Sequence, residues 1–105
     1  MAEPEREPGR EPEWRPAARA DLRAIIDYIS DDNPTATLAL QDEIETKVAR
    51  LPQNPRLYRL GRVEGTREMV VRPNYLVVYA ETPGAIGAPG SVTILRVLHA
   101  AQMWP

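Results

Sequence analysis

Tyr75-Leu76-Val77-Val78-Tyr79 is an almost unbroken apolar run, with the turn pair Pro73-Asn74 before it and the Pro/Gly/Ala loop 82–90 shortly after it. A short apolar run bounded by turn residues and rich in β-branched and aromatic side chains reads as a strand buried on both faces, the centre of a sheet. Strand signals flank it on either side. Residues 66–72 are β-rich, and residues 91–98 give a last strand with Val92, Ile94, Arg96 and Leu98 at one parity. Ahead of them, residues 56–65 form an irregular arm in which Tyr58, Leu60 and Val63 alternate.

Before Pro55 the period changes from that of strands to that of helices. Leu22, Ile25, Ile26 and Ile29 follow the i, i+3, i+4, i+7 template, and Ala18 carries the stripe one turn back. Pro16 suits the first helical turn, although Arg15 is a poor cap, and the helix is expected to stop near Asp31. Asn33-Pro34 then reads as an N-cap followed by a first-turn proline. Leu40, Ile44, Val48 and Leu51 make a second stripe, Glu43 and Lys47 form an exposed i, i+4 pair, and Pro52 and Pro55 end the helix. Helices first and strands afterwards predict an α+β fold, an N-terminal helical hairpin packed on a small antiparallel β-sheet.

The first twelve residues differ from all of this. Proline recurs every fourth residue at Pro4, Pro8 and Pro12 among glutamates, a pattern that blocks helix and central strand alike. The expectation is a disordered or extended acidic tail over 1–12 and one domain over 13–105. Glu11 to Arg15 would add a short edge strand anchored by Trp14. With 105 residues there is material for one modest core.

Charge is polarised along the chain. Residues 1–13 and 14–49 each carry −3, whereas residues 50–105 carry seven arginines against Glu64, Glu68 and Glu81, a net of +4. The overall −2 argues against a general nucleic-acid coat, but a basic C-terminal half facing an acidic helical half suits a phosphate or an acidic partner. The absence of cysteine excludes disulfides and thiolate metal sites and suits a reducing cytoplasm. His99 is the single histidine, so no zinc site built on a histidine pair is available, and neither metal nor cofactor is expected. No apolar run approaches a membrane span, and no signal peptide is expected from so acidic and proline-rich a start.

Several stretches, in order, carry a resemblance to a known family. They are Trp14 with Pro16, Ala18 and Asp21-Leu22; Asp32-Asn33-Pro34; Gly65-Thr66-Arg67-Glu68; Pro73-Asn74-Tyr75-Leu76-Val77-Val78-Tyr79; and Arg96-Val97-Leu98-His99-Ala100-Ala101-Gln102-Met103-Trp104-Pro105. Together they resemble the ParE/RelE superfamily of bacterial toxins over about residues 13–105. The closing Val97-Leu98-His99 with Gln102 and Trp104-Pro105 looks most like the ParE branch. The resemblance implies the toxin component of a type II toxin–antitoxin, plasmid-stabilisation module, cytoplasmic and held in a hetero-oligomer with an antitoxin encoded beside it. ParE-like members typically poison DNA gyrase without chemistry of their own. RelE-like members cut mRNA on the ribosome, using the RNA 2′-hydroxyl as nucleophile. A third expectation, of a different class, is a non-toxic antitoxin-binding remnant.

Cleavage through the 2′-hydroxyl needs a base, an acid and a cation at the crowded phosphate. Arg67, Arg72 and Arg96 are the candidate cations, and His99 belongs to the one residue type that ordinarily titrates near neutrality. The base is the gap. Ribonuclease members carry lysines or a glutamate in the arm before the second strand, where this chain has Arg56, Arg59 and Arg62, leaving Glu64 and Glu68 as substitutes. The chain is therefore expected to act by binding, with an endoribonuclease as the alternative. Arg59, Arg62, Tyr75, Gln102 and Trp104 are the candidates for gripping a target or an antitoxin. Each also has a structural reading: Arg96 paired with Glu68 across the sheet, Arg67 and Arg72 as solvated charges, His99 and the tyrosines as packed residues with satisfied polar atoms, Trp104 pinning the tail.

Overall fold

The computed structural model describes residues 11–31, 33–72, 74–84, 86–87 and 90–99. The expected domain elements are all present within them. β1 (Glu13–Trp14) leads into α1 (Pro16–Ser30) and α2 (Pro34–Ala49), followed by a 3₁₀ turn (Leu51–Gln53). The sheet continues with β2 (Arg59–Leu60), β3 (Arg67–Val71), β4 (Tyr75–Thr82) and β5 (Ser91–His99).

The helix signals act as the chemistry requires. Arg15 gives α1 no side-chain cap, and Pro16 occupies its first turn. At α2 the Asn33 side-chain oxygen accepts the Ala36 amide at 3.1 Å, satisfying one of the first-turn donors that no helical carbonyl can reach. Leu40, Ile44, Val48 and Leu51 are all buried, as their spacing predicts. α1 differs: Ala18 is buried, but Leu22, Ile25, Ile26 and Ile29 are only half-buried, and Tyr28 is 81% exposed. Its apolar stripe is wider than the part of the core it meets.

The strands lie in the order β1-β5-β4-β3-β2. β2 to β5 pair antiparallel, as expected, while β1 joins the edge parallel to β5. The sheet is thus mixed, with four antiparallel strands and one short parallel edge. A parallel neighbour needs a long crossover, and the two helices supply it. Trp14 anchors that edge, packed on the core with the Arg19 guanidinium 5.5 Å from its ring centre.

One sheet face meets the helices: Met69, Val71, Val77, Tyr79, Val92, Ile94 and Val97 pack with Ala18, Leu40, Ile44, Val48 and Leu51. Leu76, Val78 and Leu98 form a smaller cluster with Leu95 on the other face. A β-bulge separates the two halves of β5. Pairing passes from Val78↔Arg96 to Tyr79↔Ile94, leaving Leu95 as the extra residue. This corrects the simple parity of the last strand. Ile94 and Val97 share the helix side, whereas Leu98 belongs to the other.

Candidate functional site

β5 and α1 together build a recess. Asp21, Ala24, Ile25 and Tyr28 from α1, Tyr75 from the start of β4, and Val97 and His99 from the end of β5 line a cleft of about 410 Å³. Its floor is held by one acid. The Asp21 carboxylate accepts Arg96 Nε at 2.6 Å and Nη2 at 3.0 Å, and also the Val97 amide at 3.0 Å, just beyond the bulge. A guanidinium fork on a carboxylate is the strongest neutralising geometry available to arginine, and hydrogen bonding to Asp21 pushes the Arg96 pKa up. Arg96 therefore pairs with Asp21, not with Glu68. Tyr75 and His99 face each other in register across β4 and β5, their rings edge-to-face at 5.6 Å between centroids.

Glu68 has other partners. It is 3% exposed, and its carboxylate accepts Arg59 Nη2 at 3.1 Å and the Arg62 amide at 3.2 Å. This buried acid ties the arm before β3 onto the sheet. Arg67 ties it from the other side, donating Nη1 to the Tyr58 carbonyl at 2.8 Å and reaching the Arg56 carbonyl at 3.5 Å. Tyr79 donates its hydroxyl to the Pro55 carbonyl at 2.7 Å, and Arg56 pairs with Glu81 at 3.2 Å. Thr66 closes the arm's own loop, its hydroxyl donating to the Val63 carbonyl at 2.6 Å.

Arg72 stands at a third place. It follows β3 in the turn to β4 at φ 58°, the one non-glycine at positive φ among the described residues, and donates Nε to Glu43 of α2 at 2.9 Å. That bond, with Lys47 at 3.5 Å, holds the exposed Glu43 carboxyl below its ordinary pKa. The three candidate cations thus sit at separate positions, Arg96 under the cleft, Arg67 under the arm and Arg72 on the hairpin, each engaged by oxygen atoms of the fold. Arg59 and Arg62 sit together on the arm, and Tyr75 joins His99 at the cleft. Gln102 and Trp104 lie outside the described residues. Among the described residues no group of three or more His, Asp or Glu is arranged to hold a metal ion, and no helix is long and apolar enough to cross a membrane.

Sequence reasoning passed over Asp21, Tyr28, Leu57 and Leu60 as site residues. Asp21 had a readable signal, being an acid one turn before Ile25 on the apolar side of α1. Leu57 and Leu60 had none, because only the structure shows them 70% and 73% exposed.

The chain is similar to known proteins. The family model described as ParE toxin of type II toxin–antitoxin system, parDE, matches residues 13–104. Toxin RelE2 of Caulobacter vibrioides is 36% identical over 86 residues, covering 82% of this chain and 90% of that protein. The candidate toxin Y4kP of Sinorhizobium fredii is 35% identical over 79 residues, covering 74% and 75% respectively. Among solved structures, a chain of the chromosomal ParDE TA system from P. aeruginosa superposes with a TM-score of 0.70 at 25% identity, over 85% of this chain and 94% of its own.

Proposed function

Because the chain belongs to the ParE toxin family of type II toxin–antitoxin systems, we propose that it arrests growth by binding DNA gyrase and that a cognate antitoxin, encoded beside it, neutralises it. The observation that carries the binding mechanism is the engagement of Arg67, Arg72 and Arg96 by internal oxygen atoms at three separate positions. A phosphoryl-transfer site needs cations gathered about one phosphate, next to a base and an acid. Surface binding needs no such convergence. The antitoxin would cover the cleft and the half-buried stripe of α1, where apolar side chains already line a groove of the kind that receives an amphipathic segment.

The test is direct. Purified protein added to gyrase is expected to block supercoiling or trap cleavage complexes, and unchanged supercoiling at stoichiometric excess would remove gyrase as the target. Co-expression with the adjacent small reading frame is expected to restore growth that expression of this chain alone suppresses.

A ribonuclease reading draws on one feature, the gathering of His99, Tyr75 and Asp21 at the cleft beside the Arg96 fork. Incubation with translating ribosomes decides it. Site-specific mRNA cuts lost in His99→Ala would place the activity there, and intact mRNA would leave binding as the mechanism.

A further inference from the structure

The arm over 56–62, Arg-Leu-Tyr-Arg-Leu-Gly-Arg, combines two properties. It is firmly held, and it presents its leucines to water. Arg67 grips its carbonyls at Arg56 and Tyr58, Tyr79 holds the Pro55 carbonyl at its base, the buried Glu68 carboxylate holds Arg59 and the Arg62 amide, and the Gly61 amide donates to the Thr66 carbonyl at 2.8 Å. Gly61 lies so close to the Thr66 hydroxyl that a Cβ there would collide with it. Yet Leu57 and Leu60 are 70% and 73% exposed on this fixed support. The Arg56 and Arg59 side chains beside them are 72% and 60% exposed.

We infer that the arm is the surface that grips the toxin's target, with Leu57 and Leu60 inserting into an apolar pocket of a folded protein and the Arg56, Arg59 and Arg62 side chains forming a polar rim around them. This rests on the reading of the chain as a growth-arresting toxin. Three observations choose the occupant. Projecting side chains on a rigid base fit a concave folded partner, whereas a peptide-like antitoxin fits the concave cleft at α1. Glu81 and Glu68 already answer Arg56 and Arg59, which lowers the positive potential a nucleic acid would seek. Exposed leucines interleaved with arginines match the apolar centre and charged rim of protein interfaces, and bases would instead stack on aromatic rings.

The test expresses four forms of the full chain to equal levels, without the antitoxin: wild type, Leu57→Ser/Leu60→Ser, Arg56→Gln/Arg62→Gln, and Ile86→Ser as an exposed apolar control outside the arm, in the connection between β4 and β5. Thermal unfolding and co-purification with the antitoxin check that each variant is folded. The leucine pair is expected to raise colony survival at least tenfold while still binding the antitoxin, with Ile86→Ser arresting growth like wild type. Undiminished arrest by the leucine pair overturns the inference. So does arrest lost only in the arginine pair, which would indicate a phosphate backbone, and so does loss of antitoxin binding in the leucine pair. Gyrase supercoiling measured in parallel separates the two claims. Wild-type arrest without gyrase inhibition removes gyrase as the target while the arm is still judged by survival. A wild type that does not arrest growth overturns both.

Discussion

Tyr79 is wholly buried, and its hydroxyl reaches the Pro55 carbonyl at the base of the arm. Tyr79→Phe keeps the ring and removes the donor, leaving that carbonyl short of a partner. The expected cost is about 1–2 kcal/mol in urea unfolding. Burial pushes the Tyr79 phenol pKa up, so the folded state holds its proton more tightly than the unfolded state does. The stability linked to it is complete below the unfolded value of about 10 and is lost as pH rises through the folded value. An alkaline decline seen in wild type and blunted in Tyr79→Phe would verify this. Glu43 works with the opposite sign. Its pKa is lowered first by the hydrogen bond from Arg72, so its contribution is present above the ordinary glutamate value of about 4.3 and fades as pH falls through the lower folded value. Arg72→Gln is expected to flatten that acid limb, measured as Tm against pH, with a small effect because the pair is exposed. Individual site residues were legible by type but not by partner. Arginine abundance marked the C-terminal half as the place to look. The acid that engages Arg96 lies 75 residues earlier, and no local rule joins Asp21 to it.

The elements with one strong local cause were the most legible. α2 combines an Asn33 cap, a first-turn proline and Leu40, Ile44 and Val48 at helical spacing, and the structure realises all of them, with Leu51 buried in the 3₁₀ turn that follows. Asn33→Ala is expected to cost about 1 kcal/mol, read from chemical denaturation, because the Ala36 amide loses its acceptor. A shift below a few tenths would mean that solvent replaces the cap without loss. α1 was legible as a helix but not as a half-covered one, since periodicity identifies an apolar face without saying what fills the space beside it. β5 was legible as a strand and misread in phase. Period-two alternation assumes no inserted residue, and Leu95 is one. The bulge follows from how β5 meets β4 at Val78 and Tyr79, a long-range fit that the strand's own residues do not encode. It also brings Arg96 and the Val97 amide to the same carboxylate, so the phase error and the wrong partner for Arg96 have one origin.

At the scale of the molecule, a sheet centre read from five residues and a helical half read from two stripes were enough to give the architecture. The parallel edge was hidden because two residues, Glu13 and Trp14, carry no directional signal. What this architecture leaves unfinished is α1. Leu22, Ile25, Ile26 and Ile29 are half-buried beside an exposed Tyr28 and a cleft of about 410 Å³, so the isolated domain keeps apolar surface in water. A partner that covers it binds the folded chain and not the unfolded one, and its binding free energy adds to stability. At an antitoxin concentration a thousand times its dissociation constant the gain is about 4 kcal/mol, or roughly 15–30 °C in Tm for a domain near this size. The complex is therefore expected to melt well above the chain alone. Ile25→Asp should remove most of that difference while changing the Tm of the free chain much less, because Ile25 is only half-buried at the cleft wall. If the difference in Tm survives Ile25→Asp, the antitoxin covers another surface, and the open stripe of α1 has a different occupant.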